Sequence, residues 1–334
     1  MLLSRRNFVC LAGAAVITPA FAKETILRAY NIEMLHQGLS EADPHGDGWV
    51  FGLPPGISTA QWPLDPNNGY PLNHGFTIRL PEDYRVHGPE IVGLSFFAVA
   101  FDHNDGMPLT APSVRAFFDE TSDERPVDPF LVPFWEARQS EHPRFFRMRD
   151  VLDLEYAVIL LTEQEFSGPF AQPPRLEGNP YLAEVPAPAW LTKGSAAAFW
   201  DASYSPGSLP PQEYFIYKQL GGVPDPHLTF NRAIRVTPRA EDPNAGIAPD
   251  EFGGNGYQRE FYWEGGVIET ENYRLHKWGK SHLPNHVGGT MRPIQGFPDF
   301  SPYHIGFEEY FGGYNFGGGN AQLDFKDMKF DWAQ

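Results

Sequence analysis

The chain has 334 residues, one cysteine (Cys10) and a formal net charge of −17 at pH 7. That acidity argues against nucleic acid and anionic membranes, both of which repel it, and one cysteine leaves no intrachain disulfide and no thiolate cluster. Glycine and proline number 33 each and aromatics reach 15%, the composition of an ordered, turn-rich, β-leaning protein.

The first residues form an address. Ser4-Arg5-Arg6-Asn7-Phe8 is followed by an apolar run to Ile17, and Pro19-Ala20-Phe21-Ala22 ends in a small-x-small cleavage pattern. This is a secretory signal of the twin-arginine type over residues 1–22, with an apolar run well short of the ~20 residues of a membrane span. Cleavage near Ala22 leaves residues 23–334 as a periplasmic or secreted protein, not inserted in a membrane. It also removes Arg5, Arg6 and Cys10 and shifts the charge from −17 to −19.

After the signal, Ile26, Leu27, Tyr30, Met34 and Leu35 give Glu24 to Leu39 the spacing of an amphipathic helix. Asp43, His45 and Asp47 before Gly48 resemble the start of a calcium loop, but Pro54 stands where the closing Glu belongs, so a solvated turn is expected. Prolines and glycines then fix turns around Trp62, and strands follow at Phe76 to Leu80 and Ile91 to Phe101, the second apolar enough to be central. Short helices are expected at Ser113 to Phe118 and Val132 to Gln139, and a buried strand at Glu155 to Leu161. The proline-rich stretch from Gly168 to Ala189 is either a boundary between halves or a long surface loop. Beyond it come a helix at Pro211 to Leu220, strands at Leu228 to Thr237 and Glu260 to Glu269, and between the strands a loop from Glu241 to Tyr257. At the C-terminus Ala321, Leu323 and Phe325 alternate with polar residues, and Met328, Phe330 and Trp332 repeat the pattern out of phase. A turn at Lys326-Asp327 puts both sets on one core face.

Several of these turns occur together in a way that resembles the YwqG-like family. Trp62-Pro63, Gly69-x-Pro71-Leu72 and the two strands after them look like its opening. Gly288-Gly289 with Pro293-Ile294-Gln295, then Gly318-Gly319-Asn320 and Phe330-Asp331-Trp332, look like its end. The likeness covers residues 50–105 and 285–334 and leaves the region 106–284 unmatched. It departs from the family in its export signal and in the reading Gly-Thr-Met-Arg-Pro within the second turn. The resemblance implies an α+β fold, a β-rich mixed domain built from two related sheet-containing halves with short helices. It implies no transferable reaction, and a protein-binding, immunity-like role. The residues singled out for binding are Trp62, Gly288, Gly289 and Gln295, with Trp278.

The chemistry a reaction needs is sparse. No Gly-x-Ser-x-Gly elbow and no phosphate-binding glycine loop is present. His282 and His286 have the spacing of a zinc pair, but Pro284 between them prevents a helix from aligning them, so a metal site would be built on loops from His276, His282 and His286 with Glu308 and Glu309. Twin-arginine export of folded cargo favours a loaded cofactor, since a non-local β-rich fold is slow to form. Glu308-Glu309 or Asp119-Glu120 would be the acids of a glycosidase, and Trp200, Tyr204, Trp263, Trp278 and Tyr310 a sugar or peptide groove. The leading expectation is a cofactor-free exported protein that binds a basic partner through its acidic surface. The alternative is a metal-dependent periplasmic hydrolase using the three histidines.

Overall fold

The computed structural model describes residues 26–35, 37–40, 43–104, 106–120, 122–176, 178–193 and 231–334. The signal expected over residues 1–22, the helix expected at Pro211 to Leu220, and Trp200 and Tyr204 lie outside them. The strands are β1 Tyr30–Met34, β2 Gly48–Val50, β3 Asn73–Arg79, β4 Ile91–Ala98, β5 Phe145–Arg149, β6 Glu155–Thr162 and β7 Arg232–Pro238. They continue with β8 Phe261–Trp263, β9 Tyr273–Leu275, β10 His286–Val287, β11 His304–Glu308, β12 Asn320–Asp324 and β13 Lys329–Ala333. Among the described residues four short helices accompany them: α1 Pro112–Asp119, α2 Val132–Gln139, α3 Glu163–Phe166 and α4 Ala189–Lys193.

Eleven strands form one sheet in the order β13-β12-β11-β10-β1-β7-β2-β3-β4-β6-β5, and β8 with β9 forms a separate pair. Every pairing is antiparallel. The sheet curls until its ends meet. Trp332 Nε1 on β13 donates to Asp150 Oδ2 just past β5 at 2.6 Å, and the Phe330 and Tyr156 ring centres are 4.0 Å apart. The protein is thus β-rich, with a large, nearly closed sheet and few short helices.

The core follows from the strands that are apolar at every position. β4 (Ile-Val-Gly-Leu-Ser-Phe-Phe-Ala) is buried throughout, which requires cover on both faces. Inside the curl Phe76, Phe96, Phe307, Phe311 and Phe330 pack ring on ring; outside it Trp49, Trp62 and Phe166 cover the sheet. Helices α1 and α2 hold a smaller cluster of Leu64, Val114, Phe117, Phe134 and Leu182.

Most expected elements are in place. Strands β3, β4 and β6 and helices α1 and α2 stand within a few residues of the positions read from the sequence. The terminal hairpin pairs Leu323 with Phe330 and Ala321 with Trp332, and Asp324 Oδ1 accepts the Lys326 and Asp327 N–H groups at 3.0 Å each to hold the turn.

Two expectations are corrected. Glu24 to Leu39 is not an amphipathic helix: residues 30–34 form β1, paired with β7 on one side and β10 on the other. Tyr30, Ile32 and Met34 also alternate, and in so short a window the two periods cannot be separated. Tertiary pairing decides. The strand expected at Glu260 to Glu269 stops at Trp263, because Gly265 (φ 69°) and Gly266 (φ 73°) turn the chain back. The Gly168 to Ala189 stretch is irregular, with one 3-10 turn at Leu182–Glu184, and lines a cavity of about 720 Å³.

Candidate functional site: the glycine turn and its aromatic arm

The turn after β10 is built around a buried ion pair. Arg239, just past β7, and Asp242 meet at 2.8 Å with side chains 0% and 2% exposed. The guanidinium also reaches Asn31 Oδ1 (2.9 Å) and the Leu283 carbonyl (3.1 Å). Asp242 accepts from the Thr290 N–H (3.0 Å) and hydroxyl (2.8 Å), which pins Gly288-Gly289-Thr290 over the pair. Burial lowers the Arg239 pKa. Burial alone would raise that of Asp242, but its Thr290 and Arg239 partners hold it below the usual carboxylate range.

This hub accounts for two of the five residues singled out for binding. Gly288 and Gly289 are buried at φ 59° and 69°. A Cβ on Gly288 would stand 1.7 Å from Tyr84 Oη, and one on Gly289 2.4 Å from the Ala29 Cβ. Gly288→Ala is therefore expected to cost on the order of 2–4 kcal/mol, since it adds backbone strain and drives Tyr84 from its bond to the Arg28 carbonyl. The measurement is a fall in the urea midpoint at unchanged slope; an unchanged midpoint would show that Tyr84 can yield freely. Trp62 is also buried, stacked 6.0 Å from Trp190 with its Nε1 on the Leu72 carbonyl at 2.8 Å. Gln295 lies at the surface and donates to the Gln334 carbonyl at 2.7 Å. These four residues hold the fold's turns and ends together.

Trp278 is placed differently. It belongs to an arm, residues 260–282, whose strands β8 and β9 form the two-stranded pair outside the large sheet. One face of the pair carries Phe261, Trp263 and Tyr273, with ring centres 5.1 to 6.2 Å apart. Along the other runs a ladder: Tyr262 to His276 at 4.8 Å, His276 to Trp278 at 5.2 Å and 9° between planes, and Trp278 to His282 at 5.4 Å. His282 is buried beside the hub, with Nε2 donating to the Glu241 carbonyl at 2.9 Å. Arg292 clamps the base of the arm by pairing with Glu260. The arm is thus wired to the glycine turn through its rings.

The three histidines proposed as metal ligands do different work. His276 is a rung of the ladder, and His282 bonds to a backbone carbonyl. His286 is fully buried, with Nδ1 on the Gly288 carbonyl at 2.9 Å and its ring against His304. Among the described residues no group of three His, Cys, Asp or Glu side chains is placed to hold a metal ion. The Glu309 carboxylate accepts the Phe316 and Gly318 N–H groups, and burial raises the Glu308 pKa.

Sequence reasoning missed a buried polar chain under β3 and β4. His74 Nδ1 lies 3.2 Å from the Gly52 carbonyl and so carries the proton. Nε2 therefore accepts from Thr77 Oγ1 (2.9 Å), which accepts from Ser95 Oγ (2.7 Å). A Ser-Thr-His relay of this kind suggests a nucleophile, but all three are 1% exposed or less, so it cross-links the sheet. Thr77 faces Ser95 across the β3–β4 pair, but His74, three residues back, joins them only through the register shift between His74 and Phe76, which no period in the sequence records.

Two open grooves, about 840 and 670 Å³, share Asp47 and Arg79 beside β1, β3 and β7. Arg79 is already paired twice with Glu163, and Asp47 accepts the Val236 N–H at 2.9 Å, so their central polar groups are partnered within the protein.

Among the described residues no helix is long and apolar enough to cross a membrane. Compared with protein-family models, with curated proteins and with solved structures, the chain matches none.

Proposed function

We propose that this is an exported binding protein, related to the YwqG-like family, that holds a basic protein partner in the periplasm or outside the cell. In this reading residues 1–22 direct twin-arginine export, and the mature chain folds as two related halves. The sheet order fits that division, with β2 to β6 on one side and β7 with β1 and β10 to β13 on the other.

The observation that carries the binding role is the arm. It stands outside the large sheet and exposes Tyr262 (44%), Val267 (49%), Ile268 (77%) and Tyr273 (39%) within twelve residues of chain. Exposed apolar side chains gathered on one projection mark an interaction surface. The net charge of −17 favours a basic partner through the same field that repels nucleic acid. Among the described residues His276 is held by ring stacking, His282 and His286 by backbone carbonyls, and Asp242 by the buried ion pair.

The test is affinity capture from the exporting cell at low and high salt, using the mature protein and a variant with residues 264–272 replaced by a short glycine-asparagine turn. One partner, held at low salt and weakened at high salt, is expected with the intact arm and lost without it. Equal capture by both proteins at the same melting temperature would remove the arm from the binding role.

A further inference from the structure

Resting on that binding role, we infer that the arm acts as a plug: its tip, Val267-Ile268, enters an apolar pocket on the partner, and the pocket is rimmed by basic side chains. Three observations point to the tip and not to the faces of the arm. The faces are already occupied. Phe261, Trp263 and Tyr273 pack on one another, and His276 lies between Tyr262 and Trp278, so each ring is already held by a neighbour, and Tyr262 and Tyr273 are less exposed than Ile268. What the stacking provides is stiffness, which lowers the entropy lost when a projection docks.

The tip has the opposite character. Gly265 and Gly266 reverse the chain, and Glu269 N–H bonds back to the Val267 carbonyl at 3.0 Å, a compact turn that pushes Val267 and Ile268 outward. An apolar pair at the centre of a small patch is the arrangement of a binding anchor.

The third observation is charge. From Glu260 to Tyr273 the chain carries Glu260, Glu264, Glu269 and Glu271 and no lysine, arginine or histidine. Glu260 pairs with Arg292 and Glu264 with Arg274, both at the base or side of the arm. Glu269 and Glu271 follow the apolar pair directly in the chain, so an apolar anchor with an acidic edge calls for an apolar pocket bordered by basic side chains. The acidic edge would speed encounter and make it salt-dependent, while Val267 and Ile268 would set the lifetime of the complex.

The test is site-specific photocrosslinking in the exporting cell. A benzoylphenylalanine is placed in the full chain at Ile268, at Tyr262 on an arm face, or at Val151, a fully exposed position beyond β5. The expected result is one dominant product from position 268 whose partner is a basic protein. It should weaken about 10-fold in the Glu269→Lys, Glu271→Lys double variant at unchanged melting temperature. A product from position 262 but none from 268 would overturn the plug and leave arm-mediated binding standing. Products no stronger at 268 and 262 than at 151 would overturn both, and so would an acidic partner whose crosslink the lysine variant strengthens.

Discussion

Lowering the pH from about 7 to about 5 is expected to cost the protein several kcal/mol of stability, because its buried histidines must stay neutral. His74, His286 and His304 are 1%, 1% and 0% exposed. Burial lowers His74 to about 3 and His304 to about 4, and burial with the nearby Arg239 and His304 charges lowers His286 well below the ordinary value. The sign follows from linkage. Above about 6.5 these rings are neutral in both states and favour neither. Below it the unfolded chain takes up protons that the folded chain cannot, and stability falls with pH. At pH 5 His74 and His304 each lose about 2 kcal/mol, about 4 kcal/mol together, and His286 adds in the same direction, against a typical total of roughly 5–15 kcal/mol.

Acids raised by burial, among them Glu141, Glu308 and Asp331, oppose the trend, and Asp65 opposes it most. Asp65 is buried and raised to about 6, chiefly by desolvation, so its protonation favours the folded state as the pH falls from about 6 towards 4. At pH 5 that returns only about 1 kcal/mol. Urea midpoints followed by tryptophan fluorescence from pH 7.5 to pH 5 measure the slope directly. A flat profile would mean that the three rings accept protons in the folded state.

Asp242→Ala is expected to cost about 3–5 kcal/mol, because it leaves the Arg239 guanidinium buried without its counter-charge. The loss should exceed that of removing both charges together. In Arg239→Met, Asp242→Leu no uncompensated ion remains, and replacing a buried pair by apolar side chains is often close to neutral. A double-mutant cycle read by urea unfolding gives the coupling. If the double variant is as unstable as Asp242→Ala, the cost comes from the Thr290 and Asn31 contacts and not from the charge. The single variant should also loosen the arm, since His282 and the Leu283 carbonyl share this hub, and lower Tyr262 burial would appear as faster iodination or oxidation there.

Several elements were legible because their cause is local. A run such as β4 has no polar side to face water, so it must be a covered strand wherever it pairs. The end of the chain was legible too, because the slipped alternation across Lys326-Asp327 demands a turn. β1 and β10 were not. His286-Val287 is too short to show a period, and β1 carries both periods at once. The candidate site divided in the same way. Trp278 and the aromatic-rich stretch around it were visible as composition, whereas Gly288 and Trp62 look alike in sequence whether a ligand or a buried neighbour lies against them.

Sequence alone determined the acidity of the surface, the strongest strands, the turns that glycine and proline demand, and the shortage of catalytic residues in recognisable spacings. These depend on residue type and on neighbours a few positions away. Only the tertiary structure decided that Tyr30 pairs with Val287 in one direction and Pro238 in the other, that three histidines spaced like ligands point to three different partners, and that one aromatic stretch stands clear of the sheet as an arm. Burial and strand pairing are made by residues far apart in the chain, and a local period cannot record which distant strand will cover it.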